Sequence, residues 1–185
     1  METKLSTHRL DALFLRDKNL VDDVIGKMSF TDAMFYHIVG THPTRGQTAV
    51  LDAVLVTLME HGLTPSAIST RLTYLSAPEA MQSAIAAGLL NVGSQFIGTM
   101  ENTATILAKI HNDPAGVEAS CQQIAQQHKD VGKHMPGFGH HLHRPDDPRS
   151  PKLFAIASSY DDIDQRPINT IKTLGSIVDR MYGKH

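Results

Sequence analysis

SFTDAMFYHIVGTHPTRGQTAVLDAVLVTLMEHGLTP, residues 29–65, is punctuated as a series of helices. Ser29-Phe30-Thr31-Asp32 has the spacing of a helix cap with an acid in the first turn. Met34, Phe35, Ile38 and Val39 then recur at helical spacing until Gly40 stops the run. From Gly46 to His61 the apolar residues Val50, Val54, Leu55, Leu58 and Met59 fall on one stripe, and Gly62 follows. Thr64-Pro65 sets a hydroxyl cap before a first-turn proline, which opens the next helix.

The same punctuation continues outward. Pro78-Glu79 opens an Ala-rich stretch reaching about Ile110, and Asp113-Pro114 opens another reaching about Val131. A last helix is expected from Ile168 to about Tyr182. No stretch shows sustained period-two alternation of β-branched residues bounded by hairpin turns. The expected fold is therefore all-α. The exception is Gly132 to Arg149, rich in Gly, Pro and His, and long irregular loops on helical scaffolds often carry function. Asp147-Pro148 closes it with another cap-plus-proline start.

Composition narrows the class. The chain has 185 residues, enough for one self-sufficient core, and its 41% hydrophobic and 19% charged content is that of a globular protein. A net charge of −2 leaves no basic footprint for nucleic acid, and 5% aromatics without Trp offer little stacking surface. The lone Cys121 excludes an internal disulfide and a Cys-rich zinc site. No apolar run approaches a membrane span, and METKLSTHRLD lacks the apolar segment of a signal peptide, so a cytoplasmic location is expected. The unusual number is 11 histidines.

Four of them, His134, His140, His141 and His143, lie in the irregular loop. They read as solvated residues, as metal ligands, or, at one position, as an acid/base histidine beside an anion. A helical His-x-x-x-His pair with a carboxylate would favour metal, and this loop lacks it. Pro136-Gly137-Phe138-Gly139-His140 favours the third reading, because glycines beside an aromatic let backbone approach a ligand closely. Asp147 reads as the N-cap of the next helix. Arg149 then sits among unpaired backbone N–H groups at the positive end of a helix dipole, where its guanidinium can bind a carboxylate. His61, after Glu60 at a helix end, is either a dipole partner or a functional group. Gly88, Gly93 and Gly98 mark either close helix packing or a helix break near Gly93-Ser94 that admits a ligand.

Together these segments resemble the citrate synthase superfamily, from about Asn19 to the end of the chain. The likeness is closest to its short members, the citryl-CoA lyases and the C-terminal module of ATP-citrate lyase. Ser29 to Gly40 with Pro43-Thr44 resembles an early family helix, and Glu60-His61-Gly62 resembles the acid-His motif that contacts oxaloacetate. Gly88 to Gly98 resembles the lyase form of the central helix break, with Phe96 where synthases carry a histidine that helps enolise acetyl-CoA. The most specific piece is Pro136-Gly137-Phe138-Gly139-His140 followed by Asp147-Pro148-Arg149.

The resemblance implies a helical fold and a reaction that makes or breaks the carbon–carbon bond between acetyl-CoA and oxaloacetate, as citryl-CoA cleavage. It implies His140 and His61 as catalytic residues, Arg149 with His61 as carboxylate holders, and Pro136, Gly137, Phe138 and Gly139 as the coenzyme A contact. His140, Arg149 and His61 are thus expected in one pocket. A coenzyme A thioester is the implied substrate, with no metal and no permanently bound cofactor. A homodimer is the implied assembly, with no nucleic-acid or membrane partner. The chain is expected to form one domain over 1–185, with roughly 111–185 as the smaller, substrate-closing part that includes the loop 132–149. Gly183-Lys184-His185 falls short of a family Asn-Val-Asp-Gly-type motif that holds a catalytic carboxylate, so a truncated member, a fragment or one part of a split enzyme is expected, which alone cleaves citryl-CoA slowly or not at all. The competing expectations are a citrate synthase acyltransferase and a catalytically impaired coenzyme A-binding subunit.

Overall fold

A computed structural model describes residues 3–93, 98–139, 143 and 146–183. The chain divides into two compact units, Met1–Met59 with Pro151–Asp164, and Glu60–Ser150 with Gln165–His185.

The first unit begins with a small antiparallel sheet in the order β1 (Ser6–His8), β2 (Leu13–Leu15), β3 (Lys18–Asn19). Strands of two or three residues are too short to show a period, which is why the sequence reads as helical throughout. A π-helical turn over Leu20–Val24 follows, capped by the Asn19 side chain, which accepts from the Val21 and Asp22 N–H groups. In α1 (Phe30–Val39), Ser29 accepts from the Asp32 N–H at 3.1 Å, as its cap spacing requires. Gly40 ends α1 in the left-handed conformation, φ +89°. Arg16 donates to the carbonyls of His37 at 3.0 Å and Ile38 at 3.1 Å, satisfying acceptors that the helix end leaves open. A Cβ on Gly40 would sit 2.9 Å from that guanidinium, so both conformation and space demand glycine there.

A full capping box opens α2 (Arg45–Leu58), with Thr44 and Gln47 each bonding the other's backbone N–H. The two helices are tied by Thr31 donating to Asp52 at 2.8 Å and Thr48 donating to Asp32 at 2.5 Å. Gly46 fits where a Cβ would lie 2.3 Å from an Asp162 carboxylate oxygen, and that carboxylate accepts the Gly46 N–H.

In the second unit Thr64 caps α3 (Pro65–Ser76), with Pro65 in its first turn. This helix pairs with α4 (Met81–Leu89) through a close approach at Gly88, where a Cβ would meet the Thr70 hydroxyl at 2.3 Å. The Ala-rich stretch is therefore not one helix. It stops at Leu89 and resumes as α5 (Thr99–His111), and the Gly98 N–H donates to the Gly93 carbonyl across the interruption. Gly88 serves packing, and the helix is interrupted before Gly93, while Ser94 lies outside the described residues.

The core of this unit is built by α5, α6 (Val117–Asp130) and α8 (Arg166–Tyr182). Ile110, Cys121, Ile124, Leu174 and Ile177 are buried together there. Expected starts shift slightly. Asp113 accepts the Ala115 N–H in a turn that precedes α6 rather than capping it directly. Among the described residues no helix is long and apolar enough to cross a membrane.

Candidate active site

The Gly-Phe-Gly loop is anchored on this core. Met135 is buried, and Phe138 packs half-buried against the cluster, close enough that a Cβ on Gly175 of α8 would lie 3.2 Å from its ring. Gly137 and Gly139 both have positive φ, +83° and +84°. They need glycine for different reasons. A Cβ on Gly137 would come 2.6 Å from the Thr103 hydroxyl of α5, whereas Gly139 borders open space and needs only the conformation. The aromatic thus acts as an anchor, and the glycines on either side remain exposed. His140 lies outside the described residues, as do His141 and Phe96, and with His140 the expectation that it shares a pocket with Arg149.

Arg149 opens α7 (Arg149–Ser158). The helix begins at Arg149 and not at Pro148, one residue later than the proline signal suggests. Asp147 accepts the Arg149 backbone N–H at 2.9 Å, which is the capping role its sequence position predicts. It also pairs side-on with the guanidinium, taking Nε at 2.9 Å and Nη2 at 2.6 Å. The Arg149 hydrogen bond holds the Asp147 carboxyl far below the usual carboxylate range, and the same bond raises the guanidinium further, with Glu60 adding to it. Sequence reasoning missed this second role of Asp147, because a cap spacing says nothing about where the capping carboxylate's other lone pairs point.

His61 reaches the same guanidinium. Its Nδ1 stands 3.0 Å from Arg149 Nη1, although 88 positions separate the two residues. Gly62, with φ +64°, turns the chain just after it, and Glu60 accepts the Gly62 N–H at 3.0 Å. The structure therefore brings together Glu60, His61, Asp147 and Arg149, all within the second unit. A site of this kind offers hydrogen-bond donors to an anion. It also contains the Asp147 carboxylate, which orients the guanidinium, and the nearby charge of Glu60, which favours its charged form. Among the described residues no group of three His, Cys, Asp or Glu side chains is placed to hold a metal ion.

The chain is similar to a citryl-CoA lyase from Hydrogenobacter thermophilus, with a TM-score of 0.87 and 25% identity over 100% of this chain and 70% of that one. It is also similar in fold to an ATP citrate lyase from Methanothrix soehngenii, solved in complex with citrate and coenzyme A. A third likeness is to a mutant ATP citrate lyase from Methanosaeta concilii in complex with (3S)-citryl-CoA. Each of these two has a TM-score of 0.85 and 18% identity, and this chain spans 29% of their length. No curated protein sequence matches the chain. Residues 11–184 match the family described as citrate synthase, C-terminal domain. The helical order, the glycine loop braced on α5 and α8, and this match across nearly the whole sequence lead to one conclusion: the chain belongs to the citrate synthase family.

Proposed function

We propose that this chain acts on the carbon–carbon bond between an acetyl thioester and oxaloacetate, in the sense of citryl-CoA cleavage. The observation that carries the reading is the likeness to a citryl-CoA lyase over the whole chain, at 25% identity. In that reaction the C3 hydroxyl of citryl-CoA gives up its proton and becomes the carbonyl of oxaloacetate. The bonding electron pair passes to the thioester enolate, which takes up a proton and leaves as acetyl-CoA. His140 receives the hydroxyl proton in this reading, a transfer imidazole can perform and reverse near neutral pH. Arg149 and His61 hold the substrate carboxylate through donors that Asp147 leaves available, which fixes the orientation of the breaking bond. The exposed backbone of Gly137 and Gly139, with Pro136 and Phe138 as its support, is the contact for coenzyme A. The thioester is substrate, and no permanently bound group takes part.

The same reading makes the chain a homodimer. Ile68, Leu72 and Leu75 of α3 and Met81, Ile85 and Leu89 of α4 form exposed apolar stripes at helical spacing. Surfaces of this composition mark interaction sites.

The test is oxaloacetate release from citryl-CoA, followed by a coupled assay with and without chelator. Turnover that survives the chelator and drops about 10²–10⁴-fold in His140→Ala supports the reading. Equal rates in wild type and His140→Ala would remove His140 from it. The family description favours one competitor, condensation of acetyl-CoA with oxaloacetate to free citrate, and the reverse assay on the same protein separates the two. Coenzyme A binding without turnover in either direction would assign a binding role instead.

A further inference from the structure

The ring of His61 makes its bond to Arg149 through Nδ1. A guanidinium carries only donors, so the direction of this bond is fixed: Nη1–H donates and Nδ1 accepts. The ring proton then belongs on Nε2. Arg149 is in turn held side-on by the Asp147 carboxylate through Nε and Nη2. The Asp147 and Arg149 side chains are only 20% and 30% exposed, so the pair is set in one rotamer rather than sweeping through solvent.

We propose that Asp147 is a positioning residue that acts through Arg149 to fix His61 in its Nε2–H form, so that His61 meets the substrate as a hydrogen-bond donor. The inference rests on the functional reading above for the identity of the substrate. It adds to it the chemistry of the atom facing His61, which must be an acceptor, a carboxylate or carbonyl oxygen. It also divides labour within the site. With Nδ1 occupied by Arg149 and Nε2 carrying a hydrogen, His61 has no lone pair to offer as a base, and proton acceptance falls to another group. Arg149 has one side committed to Asp147 and one Nη1 hydrogen committed to His61. The second hydrogen on each terminal nitrogen is what it can give a ligand.

Heteronuclear NMR of the ¹⁵N-labelled histidine rings, with His61 assigned by the loss of its signals in His61→Gln, tests the tautomer directly. In the wild-type chain Nδ1 of His61 is expected to show the shift of an unprotonated ring nitrogen and Nε2 that of an N–H. Asp147→Asn and Arg149→Gln should each mix the two tautomers. Asp147→Glu, which keeps the carboxylate, should restore the wild-type signature at least in part. Calorimetry with oxaloacetate should show about tenfold weaker binding in Asp147→Asn, the loss of roughly one well-placed hydrogen bond. An Nδ1–H signature in the wild type would overturn the proposal, and so would an unchanged tautomer in both Asp147→Asn and Arg149→Gln. The wild-type spectrum decides the matter even if a variant fails to fold. A wild-type chain with the expected tautomer but no affinity for oxaloacetate or citryl-CoA would overturn the functional reading and leave the Asp147–Arg149–His61 relation standing.

Discussion

The α3–α4 hairpin and the α5–α6–α8 bundle lie in the same compact unit and spend their apolar residues differently. In the bundle, Leu174 is 0% exposed and Ile110 1%. In the hairpin, Leu75 is 77% exposed and Leu72 61%, and α3 buries no residue at all. Both regions carry helical stripes of Leu and Ile, so hydrophobic periodicity alone does not distinguish a stripe that makes a core from one that stays exposed. The difference lies in what holds each region together. The bundle is held by side-chain burial, and the hairpin by a backbone approach that one glycine permits.

The largest expected effect falls on the bundle. Leu174→Ala should cost about 2–5 kcal/mol, because the cavity it opens has no solvent edge to collapse into. Urea denaturation measures this, and a loss below about 1 kcal/mol would mean that the bundle is not the stabilising core. In the hairpin, Gly88→Ala should destabilise by about 1–3 kcal/mol despite the better helix propensity of alanine, since its Cβ would meet the Thr70 hydroxyl at 2.3 Å. Adding Thr70→Ala should recover most of that loss. A stabilising single variant would remove the close approach as the explanation.

Substituting the outer face should separate hairpin from bundle most sharply. Leu72→Glu with Ile85→Glu should change the unfolding free energy of the monomer by only about 0.5 kcal/mol. If the proposed homodimer forms through this face, sedimentation should show dimers in the wild type and monomers in the variant. Retained dimers would move the interface elsewhere.

Much of the helical scaffold was legible because its signals are local. Ser29, Gly40 and Thr64 announce their roles within a few residues of where they act. The N-terminal sheet was not legible, since its strands are too short for a pattern and its corner residue Arg16 takes φ +54°, which no composition rule foresees. In the site, Arg149 and His61 were each readable as candidates. Their sharing a pocket followed only from the family resemblance, because it depends on the fold closing 88 positions of chain; their direct hydrogen bond and the second role of Asp147, which depends on a rotamer, were not readable.

The smallest expected effect concerns that last pair. The Asp147 carboxyl is held below its ordinary value by Arg149, so its contribution to stability is complete above the unfolded value of about 3.9 and is lost as pH falls through the lower folded value. The stability gap between wild type and Asp147→Asn, read from urea midpoints, should be constant from pH 7 to 5 and narrow below about pH 4. A gap that widens on acidification would contradict the pairing.

Arg16 gives the N-terminal sheet an order of assembly. Its guanidinium binds carbonyls that point the right way only after α1 has grown to its final turn, and it fits only because Gly40 then swings the chain aside. Before that, the segment from Ser6 to Asn19 has short strands and no helix end to dock on, and a ribbon of this size is marginal in water. Folding here therefore runs against the order of the sequence: the earlier segment completes its structure only after the later helix α1 has finished.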